Sequence, residues 1–308
     1  MKLRDLISPK YILYGLSIVL TRGLELLVLF FAAHYLSKSA YGNLEYYKKV
    51  IEVGSSFLAF GLPALLVSYT TNKQNKNYFY LLSILFTLGL AILILPILYV
   101  LKLQILLIPL LFYAWFFIGS LTQGYILVRW NSNWVAIYKI VISILFYGLV
   151  YLLIRYYQVS AFAYVYPAYM LFFPAVLFML WLIYKAKIKL RLLTKYARLF
   201  FKLLPSSSTL VVSNFANLMF LYTDIFIIKF LSQNPSVEIA DYSFALNIAN
   251  MLLLIPVTLV QVDIEKLKKS AKEVSLLFKK ILSLVFIGVI GLLTIYIYLT
   301  PIYFSKYA

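Results

Sequence analysis

The sequence predicts an all-α integral membrane protein with about nine transmembrane helices. The chain is 64% apolar with a mean hydropathy of +0.93, which is too apolar for a soluble domain of 308 residues. Its apolar residues form long stretches separated by short, often basic connections. An opening pattern also recurs, because Leu36-Ser37 follows the first stretch and Leu231-Ser232 follows the seventh, 195 residues later. This repeat predicts two related halves, and membrane proteins of that design bind their cargo between the halves.

Each predicted span has the length of about 20 residues or more that a helix needs to cross a bilayer. The first six make one complete bundle over residues 1–184, and the last three begin a second, pseudo-repeated bundle over residues 203–308. A basic cytoplasmic linker, residues 185–202, joins them. The predicted spans are residues 11–36, 44–69, 77–101, 103–127, 134–156, 161–184, 203–231, 237–262 and 281–304.

The basic residues predict the orientation of the chain. The formal net charge is +18, and Lys and Arg gather in alternate connections. Because cytoplasmic loops carry the excess of basic residues, we expect a cytoplasmic N-terminus. Anionic lipid headgroups are the expected partners of these loops, and no nucleic acid partner is expected. The linker 185–202 fits either an amphipathic helix on the inner leaflet or a simple positive-inside signal.

The composition also excludes several kinds of site. The chain has no cysteine, so neither a disulfide nor a thiolate metal site is expected. Its single histidine, His34, lies near a predicted helix end, where a structural role is expected. The predicted outside loops are short and leave no room for an extramembrane catalytic domain. We therefore expect a transporter and not an enzyme, with no cofactor beyond coupling to protons or sodium ions.

Two charged residues lie near the middle of the first span. Inserting a charge into a membrane helix costs roughly 2.5–3.5 kcal/mol, so such residues are functional candidates. Arg22 and Glu25 are one turn apart on the same helix face. They form either an internal ion pair that holds helices together or part of the wall of a wet cavity.

The second span opens with four charged residues within eight positions. Their spacing predicts ion pairs of Glu45 with Lys49 and of Lys48 with Glu52. This segment is either an ordinary solvated helix start or the wall of a wet outer vestibule. Gly61 and Pro63 then interrupt the same span, and Pro256 has a similar place in the eighth span. These three residues are predicted hinge positions.

Polar residues also mark the seventh and eighth spans. Asn214, Asn217 and Asp224 lie in the seventh span, and Asn247 and Asn250 lie in the eighth. The asparagines either join neighbouring helices by hydrogen bonds or line a cavity. Asp224 is an isolated carboxylate, which should face water or a cation.

Several of these segments resemble bacterial polysaccharide flippases of the multidrug/oligosaccharidyl-lipid/polysaccharide exporter superfamily. The resemblance covers most of the chain through short motifs in both halves. In the first half they are Leu36-Ser37, Ala40-Tyr41-Gly42 and Phe60-Gly61-Leu62-Pro63. In the second half they are the span from Asn214 to Lys229 with Thr223-Asp224, followed by Ala240-Asp241-Tyr242 and Ala245.

The resemblance implies two six-helix bundles around a central cavity in the bacterial cytoplasmic membrane. Such proteins move undecaprenyl-diphosphate-linked oligosaccharides to the outer leaflet for cell-surface polysaccharides such as O-antigen, alongside polysaccharide polymerase and chain-length machinery. On this chain the diphosphate contacts would be Arg22 and Lys48, with Lys49 second. The four asparagines would line the same cavity. Glu25 and Asp224 would be sites of proton or sodium coupling.

Two departures leave other functions open. The residues from Glu238 to Asp241 stand where the family commonly has a glycine, and the chain ends about three helices before a second bundle is complete. A truncated and inactive remnant, or a chain completed by pairing, is therefore an alternative. A drug or cation antiporter of the same superfamily is another alternative. Its cation exchange would favour buried carboxylates, whereas the spans of this chain contain at least as many basic as acidic residues. A membrane glycan polymerase would need larger outside loops.

Overall fold

The computed structural model describes residues 9–69, 73–267 and 271–307, and this part of the chain contains eleven α-helices, two short 3-10 turns and no strand. This confirms the predicted all-α fold. The helices are α1 (Pro9–Tyr35), α2 (Lys38–Ala59), α3 (Leu62–Tyr69), α4 (Lys73–Val100), α5 (Leu107–Trp115), α6 (Leu121–Arg129), α7 (Ser132–Tyr157), α8 (Val165–Lys185), α9 (Leu190–Leu231), α10 (Pro235–Leu267) and α11 (Ala271–Tyr303). The 3-10 turns are Gln104–Leu106 and Ser305–Tyr307.

Within the described residues, six helices are long and apolar enough to cross a membrane. They are α1, α4, α7, α8, α9 and α11, and a seventh span is counted if the bent pair α2–α3 is taken together. A helix satisfies its backbone hydrogen bonds internally, as a span in lipid requires. The predicted number of nine spans stays a prediction, while the membrane fold itself is confirmed.

The predicted fourth span is two short helices and not one. After α5 ends at Trp115, Gly119 adopts a left-handed backbone with φ +82°. The Ser120 hydroxyl accepts the backbone N–H of Gln123 at 3.4 Å and so caps α6. The Gln123 side chain in turn accepts the N–H of Gly119 at 2.7 Å. These local bonds replace the helical ones and fix the break.

The basic linker is not a separate element. The helix α8 ends at Lys185, and residues from Leu190 onward are the first turns of α9, which continues to Leu231. The start of α9 is attached to α4, because the Tyr78 and Tyr196 rings stack at 4.3 Å. The predicted amphipathic segment is thus continuous with the seventh span.

The repeated Leu-Ser pattern coincides with equivalent helix junctions. Ser37 is the N-cap of α2, and its hydroxyl accepts the N–H of Ala40 at 3.3 Å. Ser232 follows α9, and its hydroxyl accepts the N–H of Asn234 at 3.0 Å, just before α10. Each motif therefore lies at the junction between two consecutive long helices.

The helix α2 packs between the two halves. On one side it packs against α5, where Gly54 leaves space for the Leu110 side chain. On the other side its first turns meet α10 so closely that a Cβ added to Gly42 would lie 1.7 Å from the carbonyl oxygen of Ser236. The charged residues of α2 are therefore placed at the contact between the halves.

Candidate functional site

A connected network of five charged side chains lies between α1 and α2. Arg22 Nη1 donates to Glu25 Oε2 at 2.8 Å, which confirms the predicted contact one turn apart. Lys48 Nζ donates to the other oxygen of Glu25, also at 2.8 Å. Lys48 also lies 3.7 Å from Glu52, and Lys49 lies 3.2 Å from the same residue. The two carboxylates thus hold the three bases in one chain of ion pairs.

The three basic side chains of the network differ in solvent exposure. The side chains of Lys48 and Lys49 are each 3% exposed, whereas the Arg22 side chain is 52% exposed. Glu25 bridges the buried and exposed parts of the network, since it binds both Arg22 and Lys48. With three bases and two acids, the network carries one net positive charge. Of its bases, Arg22 is the one accessible to a solute.

Aromatic rings complete the surroundings of the two lysines. Lys49 Nζ lies 4.3 Å from the centre of the Tyr222 ring, which belongs to α9. Lys48 Nζ lies 5.7 Å from the centre of the Tyr164 ring, just before α8. The second half therefore reaches the network through Tyr222, and the ion pairs are connected to both halves of the molecule.

Glu45 does not form the predicted pair with Lys49. It is fully buried, and its Oε1 accepts a hydrogen bond from Asn247 Nδ2 of α10 at 3.0 Å. Asn247 is also close to the Tyr41 hydroxyl, at 3.1 Å. Asn247, predicted to line a cavity, is itself buried at the contact of α2 with α10. Helical spacing could not indicate this pair, because Glu45 and Asn247 are 202 residues apart in the chain.

The other polar residues of the second half lie apart from the network. Asn214 and Asn217 are exposed on α9, and Asn250 is partly buried on α10. Asp224 is exposed and accepts a hydrogen bond from the Tyr242 hydroxyl at 2.5 Å. In the described part of the chain none of these four forms an ion pair or hydrogen bond with the α1–α2 network. Their predicted roles in substrate binding and coupling stay predictions.

The predicted hinge in the first half coincides with a break in the helix. Phe60 and Gly61 have left-handed backbones, with φ +48° and +63°, and α2 and α3 meet there at a bend of 45°. Pro63 is the second residue of α3, where its missing N–H costs no helical bond. The hydroxyl of Ser207 in α9 donates a hydrogen bond to the Phe60 carbonyl oxygen and so gives that carbonyl a partner at the break.

The matching position in the second half differs. The helix α10 continues through Pro256, whose side chain lies outside the described residues. The two halves therefore do not share a helix break. Movement about Gly61, Pro63 or Pro256 stays a prediction.

Polar contacts join the two halves at the end of the molecule that holds the α1–α2 turn. Lys38 lies 2.6 Å from Asp241, and the Ser236 hydroxyl donates to the Asn43 side chain at 2.8 Å. His34 Nδ1 lies 2.9 Å from the Tyr303 carbonyl oxygen, so this histidine has a structural contact. Lys306 donates to the carbonyl of His34 at 2.9 Å. This end, which the charge distribution predicts to be outside, is closed by α10 and the residues after α11.

The described residues hold no group of three or more His, Cys, Asp or Glu side chains that would suit a metal ion. The chemistry available at the site is therefore that of the ion network: a half-exposed guanidinium fixed by a buried carboxylate. A guanidinium held in this way suits an anion such as phosphate, because its planar donors match phosphate oxygens.

Comparison with known proteins identifies the family of the chain. No curated protein and no solved structure matches the chain significantly. The model of one family, described as polysaccharide biosynthesis protein, matches residues 9–264, which include the whole charged network. The chain therefore belongs to this polysaccharide biosynthesis family, and it is a membrane protein with a role in polysaccharide biosynthesis.

Proposed function

We propose that the protein flips a lipid-linked oligosaccharide across the cytoplasmic membrane of a bacterium, and that Arg22 contacts the diphosphate of the lipid carrier. The observation that carries the proposal is the half-exposed Arg22 at the middle of α1. Its guanidinium is held by an ion pair with Glu25, which is itself paired with the buried Lys48. Family membership supports the polysaccharide part of the cargo. The network has one more base than it has acids, and the diphosphate of an undecaprenyl carrier is an anion that this excess positive charge would bind.

In this proposal the three bases have different roles. Arg22 is the direct contact, because it is the accessible base. Lys48 and Lys49 are positioning residues: Lys48 neutralises Glu25, and Lys49 neutralises Glu52 while packing against Tyr222. Since Lys49 also contacts Tyr222 of the second half and is connected to Arg22 through Glu52, Lys48 and Glu25, a change in the interface between the halves would alter the surroundings of Arg22. We infer that this is how alternating access reaches the cargo site.

The contacts between Lys38 and Asp241 and between Asn43 and Ser236 would then form the outer gate. Because both contacts are formed, they would correspond to a closed gate. Release of the cargo to the outer leaflet would require these two contacts to separate. Work with polysaccharide polymerase and chain-length machinery in the same membrane follows from this proposal.

The proposal is tested by genetic complementation in a bacterium that lacks its own polysaccharide flippase, with surface glycan as the readout. Arg22→Gln removes the charge from a side chain that is already half exposed, so the fold should persist while export falls at least about tenfold, the loss of a charged hydrogen bond of about 1.5–3 kcal/mol. Arg22→Lys keeps the charge and should retain part of the export. Arg155→Gln, which removes an exposed arginine near the end of α7, is the matched control and should export normally.

Membrane levels of all three variants are compared by immunoblot. Equal levels with export lost in Arg22→Gln alone would support the assignment. Undiminished export by Arg22→Gln would overturn the diphosphate contact. If the unaltered chain restores no glycan for several different lipid-linked oligosaccharides while it is present in the membrane, the flippase proposal fails.

A further inference from the structure

The residues that follow α11 return from the second half of the molecule to the first. The helix α11 ends at Tyr303, and the 3-10 turn Ser305–Tyr307 follows almost directly. The backbone N–H of Tyr307 donates to the Phe304 carbonyl oxygen at 2.8 Å, which fixes the shape of the turn. We call residues 303–307 the strap. Its side chains contact α1, α2 and α10 at the end of the molecule that holds the α1–α2 turn.

Polar contacts attach the strap to the end of α1. Lys306 Nζ donates to the carbonyl oxygen of His34 at 2.9 Å and also to that of Leu36. The last carbonyls of a helix have no partner within the helix, and a positive charge beside them is favourable. His34 Nδ1 lies 2.9 Å from the Tyr303 carbonyl oxygen, and because a carbonyl only accepts, this nitrogen is the donor. The strap is thus bound to the first half by three hydrogen bonds.

Two aromatic rings of the strap lie between the halves. The Phe304 ring is 5.9 Å from the Phe30 ring of α1 and 5.1 Å from the Phe244 ring of α10. The Tyr307 ring stacks on Phe244 at 4.5 Å and is 5.9 Å from the Tyr41 ring of α2. Tyr307 and Phe244 are both buried. Each strap ring therefore contacts both halves at once, as a connecting element would.

The strap also contacts the ion pair that joins α2 to α10. Lys38 Nζ, which lies 2.6 Å from Asp241, is 5.7 Å from the centre of the Tyr307 ring. Phe244, on which Tyr307 stacks, is one helical turn beyond Asp241 on α10. The strap is therefore placed to stabilise the contact between α2 and α10.

We propose that the strap is a conformational lock that keeps α2 closed against α10, and that Lys306 is its releasable contact. The strap is continuous with α11 and packs on Phe244 of α10, so it belongs to the second half. If the halves separate at this end, the contacts with Phe244 can persist, whereas Lys306 must leave the carbonyls of α1 and Tyr307 must leave Tyr41. The contacts that separation breaks favour the closed state. That release of the strap opens a path for cargo rests on the proposed flippase function; its effect on the contact between α2 and α10 does not.

Labelling of single cysteines tests this inference without a transport assay, because the chain has no cysteine of its own. Ser243 is fully buried and lies one turn before Asn247, which bonds to Glu45 of α2, so Ser243→Cys reports opening of the contact between α2 and α10. Ser143 is also fully buried, but its hydroxyl bonds to Thr21 within the first half at 3.2 Å. Ser143→Cys therefore reports general loosening of the fold. The rate of labelling by N-ethylmaleimide is measured in membranes for each reporter, with and without Lys306→Met.

Lys306→Met should raise the labelling rate of Ser243→Cys by about three- to tenfold, because it removes a hydrogen bond from a charged donor at a partly exposed site. The rate at Ser143→Cys should not change, since no contact within the first half is lost. Lys102→Met is the matched control. It removes an exposed lysine from the connection between α4 and α5, on the same predicted side of the membrane, and should change neither rate.

An unchanged rate at Ser243→Cys would overturn the inference. An equal rise at both reporters would overturn it as well, because Lys306 would then support the whole fold and not the contact between α2 and α10. If Lys306→Met does not accumulate in the membrane, Phe304→Leu, which removes the ring next to Phe30, is measured instead with the same expectations. Labelling needs no cargo, so its rate can change in a protein that restores no glycan, and glycan export can be restored while the labelling rates stay the same.

Discussion

The helix pairs α1–α2 and α9–α10 have equivalent places in the repeat but contain different chemistry. At the offset of 195 residues, charged residues of the first pair correspond to uncharged residues of the second: Arg22 to Asn217, Lys48 to Ser243, and Glu52 to Asn247. The first pair buries a network of ion pairs, while the second pair has exposed asparagines on α9 and neutral polar groups on α10. The repeat thus preserves the helix junctions but not the charges. The cargo site of the proposed function would therefore be asymmetric, with its charge supplied by the first half.

The largest effect expected from this comparison is the loss of a charge in the first pair. Lys48→Met leaves Glu25 buried with only the exposed Arg22 as a partner, which should destabilise the fold by about 3–5 kcal/mol. Ser243→Ala, at the equivalent position of the second pair, should cost far less. Thermal unfolding in detergent and membrane levels measure both. The double variant Lys48→Met, Glu25→Gln should recover much of the loss, and a double variant no better than Lys48→Met would show that the ion pair is not the cause.

A smaller effect is expected where the two pairs touch. Gly42→Ala places a methyl group at a point 1.7 Å from the Ser236 carbonyl oxygen, so α2 and α10 must move apart. We expect a loss of stability of about 1–3 kcal/mol in thermal unfolding, as for overpacking of a core, and weaker cross-linking of an introduced cysteine pair, Asn43→Cys with Ser236→Cys. Gly89→Ala is the control, because a Cβ at Gly89 meets nothing within 4 Å. Equal behaviour of the two variants would mean that the close approach is not required for closure.

The contact of Lys49 with Tyr222 tests how strongly the second half depends on the charges of the first. Tyr222→Leu keeps an apolar side chain against α2 but removes the ring that lies 4.3 Å from Lys49 Nζ. The expected loss of stability is about 0.5–2 kcal/mol, the range of a cation–π contact. Tyr222→Phe retains the ring and removes only the hydroxyl, which interacts with Glu52, so it should lose less stability than Tyr222→Leu in thermal unfolding. If Tyr222→Phe loses as much as Tyr222→Leu, the hydroxyl and not the ring is responsible.

The smallest effect is expected from adding a charge to the second half. In the repeat, Asn217 has the position equivalent to that of Arg22. If the Asn217 side chain faces a water-filled cavity, the variant Asn217→Arg should insert into the membrane almost as well as the unaltered protein. A lipid-facing arginine costs about 2.5–3.5 kcal/mol, so Phe286→Arg on the exposed apolar face of α11 should insert poorly. Membrane levels of the two variants provide the comparison. Equally poor insertion of both would place Asn217 in lipid and remove it from the predicted cavity wall.

The sequence by itself determined the fold class and the local contacts of the site. Apolar stretches of span length leave the backbone no alternative to a helix in lipid, and the match of the family model to residues 9–264 agrees with the resemblance found in short motifs. The contact of Arg22 with Glu25 and that of Lys48 with Glu52 follow from helical spacing alone. The helix break at Gly61 was likewise visible, because glycine tolerates the left-handed backbone found there.

Only the tertiary structure decided which charges are exposed and which partners they have. Helical spacing is a local property, so it allowed Glu45 to pair with Lys49 as readily as Lys48 with Glu52. Packing of α10 onto α2 brings Asn247 within hydrogen-bond distance of Glu45. Packing of α1 onto α2 brings Lys48 within hydrogen-bond distance of Glu25. Burial then leaves Arg22 as the accessible base of the network and encloses Glu45 at the contact with α10. Those differences depend on contacts between helices distant in the chain, and no spacing within one helix encodes them.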